Sequence, residues 1–293
     1  MTYRVKHRTT YEYDEPVSTS YHALRLTPRT LPHQKCHWSK LVMDPSPAFS
    51  NDASDYFGNA VVLFTLQEPH QQLTVEATSE VEVLERTLPE MGETPTWEEA
   101  AALLTNYPDP EELEACQFTF ESSQVRCSKQ FADYASVSFM PDTPLLGAAL
   151  DLTARIHRDF KYDTTATKVT TPVEKVFEER RGVCQDFAHF QIACLRSLGL
   201  AARYVSGYLR TLAPANRERL IGADASHAWI SIYCPGSGWI DLDPTNNLVP
   251  STSHITLAWG RDYNDVSPIR GVIQGGGQHE LTVAVDVTPI NED

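Results

Sequence analysis

The chain has 293 residues, 41% of them hydrophobic and 22% charged, with a formal net charge of −15 at pH 7. That length holds one large or two ordinary domains, and the apolar fraction fills a core and excludes disorder over long ranges. The acidic balance, with its Lys and Arg residues scattered, excludes nucleic acid as a partner because phosphate repels such a surface.

The start, Met1-Thr2-Tyr3-Arg4-Val5-Lys6-His7, has no apolar core of a signal peptide, and no apolar run approaches membrane length. No membrane partner is expected. The six cysteines (36, 116, 127, 184, 194 and 234) form no CxxC and no regular framework. In a chain of this size they read as free thiols in a reducing, cytoplasmic compartment.

Residues 1 to about 86 read as all-β. The run from Tyr3 to Tyr13 is rich in β-branched and aromatic residues, and Leu73 to Val83 places Leu73, Val75, Ala77, Val81 and Val83 on one face. Turn signals at Asp14-Glu15-Pro16, Pro45-Ser46-Pro47 and Phe57-Gly58-Asn59 separate the runs. Short strands so spaced predict an antiparallel β-sandwich domain over 1–88. No catalytic constellation falls within it.

A Pro-containing linker, Leu88 to Pro95, leads into the remainder, 89–293. Thr96-Trp97-Glu98-Glu99 fits a capping box opening a helix through Leu104, and Asp109-Pro110 opens another. Amphipathic spacing predicts a helix from Pro144 to Phe160, and a further one runs from Pro172 to Arg180. Gly182-Val183-Cys184 then starts an apolar helix that Gly199 stops. After Leu200 the pattern turns to strands: Arg203 to Arg210, a loop containing Pro214, Ser226 to Cys234, and Trp239 to Leu242. A tail strand follows from Glu280 to Val287. Helices followed by an antiparallel sheet make this part α+β.

Cys184 is the residue of interest. A thiol at a helix N-terminus meets free N–H groups and the positive end of the dipole, which favour thiolate, the nucleophilic form. His227 and Asp243 follow in order. If Cys234 and Gly238 pair across a three-residue loop, Asp243 falls opposite Trp229 and diagonal to His227 on the same face. A loop of two or four residues would separate them. In the three-residue geometry His227 is the base, Asp243 orients it, and the Cys184 backbone N–H meets a developing oxyanion. Tyr162 or the Gln185 amide is the second donor considered, with Trp229 as a further cleft residue. Asp241 shares the face and is the rival orienting acid.

Blander roles fit the neighbours. Cys194 reads as packing, His189 as a buried histidine pointing away from Cys184, and Asp186 as a first-turn carboxylate suited to the dipole. A Cys/His/Asp set also suits zinc, but no second Cys or His is spaced to complete a shell, so no metal or other cofactor is expected. Gly275-Gly276-Gly277 reads as a turn, lacking any phosphate-loop pattern.

The chain resembles the bacterial transglutaminase-like cysteine proteases, in the superfamily that includes animal transglutaminases and peptide N-glycanases. The likeness is carried by Arg181-Gly182-Val183-Cys184-Gln185-Asp186, Arg203 to Leu209, and Ala225-Ser226-His227-Ala228-Trp229. Gly238-Trp239, Asp243-Pro244-Thr245-Asn246 and Tyr263 to Pro268 extend it, and Asp55 to Asn59 matches the family's β-rich N-terminal region. It implies a papain-like core with a helix-borne nucleophile packed on a sheet, and the triad Cys184, His227 and Asp243. The expected reaction is thiol acyl transfer on an amide of a peptide or protein, with water as first-choice acceptor. The alternatives are a protein-glutamine transglutaminase and a binding module that keeps the fold without catalysis. Animal transglutaminases use an upstream tryptophan at the oxyanion; here the nearest is Trp97, and no calcium-loop pattern occurs, which weighs against crosslinking of the animal type. Sequence leaves the oligomeric state open.

Overall fold

The structure, a computed structural model, describes residues 1–106, 109–211 and 225–290. In chain order, five strands come first: β1 (Thr2–Leu24), β2 (Gln34–Asp44), β3 (Phe49–Ser54), β4 (Ala60–Leu66) and β5 (His70–Val83). Helices α1 (Trp97–Asn106), α2 (Pro110–Cys116), α3 (Lys129–Ala135) and α4 (Leu145–Asp159) follow, then the two-residue β6 (Lys161–Tyr162) and α5 (Val173–Glu179). The two-residue β7 (Arg181–Gly182) leads directly into α6 (Cys184–Ser197). Strands β8 (Ala202–Leu209), β9 (Ala225–Cys234), β10 (Gly238–Leu242) and β11 (His254–Gly260) come next, then the short α7 (Tyr263–Val266). Strands β12 (Ile269–Gly275) and β13 (His279–Pro289) end the described chain.

The predicted alternation in β5 holds: Leu73, Val75, Ala77, Val81 and Val83 are buried, with Ser79 between them. The strands of the first 88 residues join one seven-stranded sheet, where the sequence predicts a two-sheet sandwich. Its organiser is β1, long enough to pair twice along each edge. Its first half lies between β5 and β13, its second between β4 and β12, with a register break between Glu12 and Val17. Such a break bends a strand and increases its twist, so the sheet curls over a core of Val17, Leu24, Phe64, Leu66, Leu73 and Val75. The tail of the chain thus returns to pair with its beginning, Tyr3 opposite Pro289 and Tyr13 opposite His279.

The second sheet runs β10-β9-β8-β11 and is antiparallel throughout. Helix α6 is buried along most of its length. Its Ala188, Phe190, Ile192, Ala193 and Leu195 share one core with Ala228, Ile230, Ile232 and Leu242 of the sheet. Tyr3, Val5, Val81, Val83, Val285 and Val287 of the curled sheet enter the same core. The two sheets therefore pack together, and the catalytic-type residues lie where they meet.

Helix boundaries follow their predicted signals. At α1 the Thr96 N–H donates to Glu99 Oε2 at 3.0 Å and the Glu99 N–H to Thr96 Oγ1 at 3.3 Å, the reciprocal capping box. Asp109 is the N-cap of α2, with Pro110 behind it. Gly199 sits at φ +78°, beyond the end of α6. Sequence periodicity misses α3, a seven-residue helix. Pro214 lies outside the described residues. No helix among the described residues is long and apolar enough to cross a membrane.

Candidate active site

The start of α6 explains the Gly182-Val183-Cys184-Gln185-Asp186 run residue by residue. Val183 is the extended N-cap, and its N–H donates to Asp186 Oδ2 at 2.8 Å, half of a capping box made from the third helical residue. Thr167 Oγ1 donates to the same oxygen at 2.6 Å. Burial pushes the Asp186 carboxyl up, and these two bonds work against it. A Cβ on residue 182 would lie 2.5 Å from that oxygen, so the tight approach requires glycine. Cys184 is thereby fixed in the first turn, where backbone N–H groups have no intrahelical partner. It is half-buried, as a thiol facing a cleft must be.

The β9–β10 hairpin has the register that brings the other two groups together. Cys234 pairs with Gly238, Ser231 with Asp241 and Ile230 with Leu242, so the next step puts Asp243 beside Trp229. His227 Nε2 and Asp243 Oδ2 are 2.7 Å apart, with both side chains buried. The Cys184 thiol lies near enough to the same imidazole to raise its pKa, and both groups line one cleft. Since Nε2 serves the carboxylate, Nδ1 is left for the thiol. Burial works to lower the His227 pKa, but the hydrogen bond to Asp243, then the neighbouring Cys184, outweigh it and carry the pKa to about 10.

Asp243 is held by more than His227. Its Oδ1 accepts the backbone N–H groups of Thr245 at 2.9 Å and Asn246 at 3.2 Å. This is the local turn chemistry of an aspartate, and Pro244, with no N–H, sits where none is needed. On Oδ2 the Asn246 amide donates at 2.7 Å and His254 Nε2 approaches to 3.2 Å. Burial alone would raise this carboxyl; the bonds from His227, His254 and Asn246 hold it well below the usual carboxylate range. The backbone closes the turn, the Asp243 N–H donating to the Leu248 carbonyl at 2.9 Å.

Asp241 shares the face of Asp243 but is engaged elsewhere. Its Oδ1 accepts from Ser231 Oγ at 2.5 Å, and its Oδ2 pairs with Arg86 at 2.7 Å. Trp229 is completely buried, behind His227 and edge-on to His254, and does not line the cleft on which Cys184 opens. Gln185 does line it, with its amide donating to the Val169 carbonyl at 3.0 Å. Tyr162 is half-exposed, pairs through its backbone with Gly182, and lies near enough to Cys184 to feel its charge. His189 is buried, accepts the Tyr263 N–H at 3.2 Å and takes no part in the triad geometry, and Cys194 is core.

His254 is the group that sequence reasoning missed, although a histidine heading the apolar run Ile255-Thr256-Leu257-Ala258 was a visible signal. His227, Asp243 and His254 also form a group of potential metal ligands, their atoms within 4.8 Å of one another. In this arrangement those atoms are hydrogen-bonded among themselves.

The cleft at Cys184 and His227 has a volume of about 480 Å³. Tyr204, Ser206, Ser226 and Tyr263 line one side. The opposite wall comes from the curled sheet, through β1 and β13. Strands from both ends of the chain thus help line the cleft on which Cys184 opens.

This fold, with a thiol at the head of a helix against a histidine and an aspartate on an antiparallel sheet, is that of a transglutaminase-like protein. Residues 3–82 match the bacterial transglutaminase-like N-terminal region and residues 133–244 the transglutaminase-like superfamily. An uncharacterized protein of Mycobacterium tuberculosis (strain H37Rv) is 40% identical over 304 residues, covering 99% of this chain and 94% of its own. A solved structure named "Putative Cysteine Protease", from Cytophaga hutchinsonii, superposes with a TM-score of 0.80 at 23% identity, over 100% of this chain and 92% of its own. A protein-glutamine gamma-glutamyltransferase of Pseudomonas aeruginosa is 33% identical over 97 residues, 32% of this chain and 14% of that protein. The chain belongs to the transglutaminase-like superfamily and carries the bacterial N-terminal region that accompanies it.

Proposed function

We propose that the protein is a thiol-dependent amide hydrolase, a cysteine protease or amidase, with Cys184 as nucleophile, His227 as general acid and base, and Asp243 as the group that orients and charges the imidazole. The observation that carries this reading is the buried His227–Asp243 hydrogen bond with Cys184 beside the same imidazole on a common cleft. Thiolate sulfur attacks the carbonyl carbon, and the oxyanion forms beside the Cys184 backbone N–H. The His227 imidazolium delivers its proton to the leaving nitrogen as the C–N bond breaks, leaving a thioester. Neutral His227 then takes a proton from water, the hydroxide adds, and the C–S bond breaks to release acid and thiol.

Water is favoured over an amine acceptor because no carboxylate among the described lining residues would draw in a protonated lysine. The test follows each cysteine by mass spectrometry during iodoacetamide labelling from pH 5 to 9, in wild type and His227→Ala. A parallel digest of a protein substrate includes a fluorescent primary amine. Cys184 alone should label fast at low pH, lose that advantage in the variant, and release new termini without incorporating the amine. Ordinary labelling of Cys184, or full activity in Cys184→Ala, would refute the reading. Amine incorporation in place of cleavage would move the assignment to transglutaminase.

A further inference from the structure

The wall facing Cys184 is one face of the β1–β13 ladder. Three alternate rungs contribute: His7 opposite Val285, Thr9 opposite Val283, and Tyr11 opposite Leu281. Strand alternation sends the charges of β1 to the other face, where Arg4, Lys6 and Arg8 pair with Glu80 and Glu76 of β5. The cleft face is graded. Val285 is buried against the core, whereas Val283 and Leu281 remain 47% and 51% exposed. Among the described residues lining the cleft there is no Asp, Glu, Lys or Arg.

We propose that this ladder face is a substrate subsite that selects an extended peptide bearing an apolar side chain beside the reacting amide. The proposal builds on the reading of Cys184 as nucleophile and adds what that nucleophile is shown. Two half-exposed aliphatic side chains at the head of a catalytic cleft regain, when a Leu-like or Phe-like group covers them, the burial they lack in the free protein. A charged side chain laid on the ladder face finds no counter-charge among His7, Thr9, Tyr11, Leu281, Val283 and Val285 and loses its water. The cleft volume, about 480 Å³, is of the size that encloses a short segment and not a folded surface. The N-terminal sheet and the last strand therefore supply specificity, while α6 and the second sheet supply chemistry.

The experiment measures fluorescence anisotropy of labelled pentapeptides of Ala and Gln that differ at one position, Leu, Glu or Lys, with wild type, Val283→Lys and the milder Val283→Thr. Wild type should bind the Leu peptide about 10-fold or more tighter than either charged one, the discrimination an apolar pocket gives. Val283→Lys should reverse the order in favour of Glu, a gain that also shows the variant is folded, and Val283→Thr should weaken only the Leu peptide, by a few-fold. Equal binding of the three peptides by wild type, no binding of any, or an unchanged Leu preference in Val283→Lys would overturn the proposal. Because binding is read without turnover, it is independent of the labelling rate of Cys184, whose failure would refute the catalytic reading instead.

Discussion

Replacing Asp243 with asparagine is the most informative single change at the site. Three groups converge on Oδ2, namely His227 Nε2, His254 Nε2 and the Asn246 amide, while Oδ1 accepts two backbone N–H groups. Every neighbour is arranged as a donor, so an asparagine NH2 has no acceptor in either orientation. To receive that NH2, His227 must bare Nε2 and carry its proton on Nδ1, the nitrogen that faces the thiol. The charge is lost as well. A His227 pKa of about 10 against an ordinary 6.5 corresponds to roughly 5 kcal/mol of preference for imidazolium, shared between Asp243 and Cys184. Without the carboxylate, burial acts on the imidazole with little to oppose it, and the thiol loses its charged partner. An ordinary thiol is more than about 99% protonated at pH 6. Iodoacetamide labelling of Cys184 at pH 6 should therefore fall by about 10²-fold in Asp243→Asn, and kcat on an identified substrate by roughly 10³- to 10⁴-fold, as for a wrong tautomer in other triads. The five other cysteines serve as internal controls. Equal labelling of Cys184 in wild type and variant at pH 6 would refute the argument, because the carboxylate would then contribute nothing to the thiol.

Asp241→Asn separates the rival acid from Asp243: it breaks the Arg86 pair and should lower stability, while Cys184 labels at the wild-type rate at pH 6, and a loss comparable to that of Asp243→Asn would reinstate Asp241 as the orienting acid. Gly182→Ala forces a methyl against Asp186 Oδ2 and opens the Val183 contact that starts α6, so a denaturant titration should show a cost of about 1–3 kcal/mol, with reactivity at Cys184 falling too; wild-type values for both would show that the approach is not constrained. The pH dependence of stability has two limbs. His227 binds its proton more tightly in the folded chain, so its contribution is complete below pH 6.5 and is lost as pH rises to about 10. Burial lowers His7 and His22 to about 4, so the stability they allow is present above 6.5 and is lost as pH falls towards 4. Melting temperature should peak near the shared value of 6.5, and His227→Gln should flatten the alkaline limb only; an alkaline limb identical to wild type would sink this account.

Legibility in the sequence tracked the range of the interaction. The Cys234-Pro235-Gly236-Ser237-Gly238 stretch and a period of two offered a three-residue loop as one register that puts His227 and Asp243 on one face, with the loop length left open, and the structure has that register. The start of α6, its stop at Gly199 and the capping box at Thr96 are equally local. The return of β12 and β13 to β1 was not readable. Its rungs join residues 245 to 286 positions apart, and each strand alone carries only the alternation any half-buried strand has. The division at residue 88 rests on a linker, a local feature, and says nothing about which sheet the tail joins. Trp229 shows a different limit. Sharing a face with His227 was correct, but its depth is set by neighbouring strands of the same sheet, with the Trp229 ring lying over Gly207 of β8 and against His254 of β11.

The tail also explains why the first 88 residues, which hold no catalytic group, sit where they do. A nucleophile at a helix start needs only α6, β9 and the turn after β10, all within residues 182–248. A cleft needs a second wall. β1 and β13 provide it by using the alternation of one ladder for two purposes, charges paired with β5 on one face and an uncharged surface towards Cys184 on the other. Because Val285 and Val287 of that ladder are part of the same core as α6, the wall is held by packing in addition to the covalent connection. Moving it away from Cys184 would expose this shared apolar surface, at the usual cost of returning buried area to water. The position of the ladder face relative to Cys184 is thus fixed by the core itself.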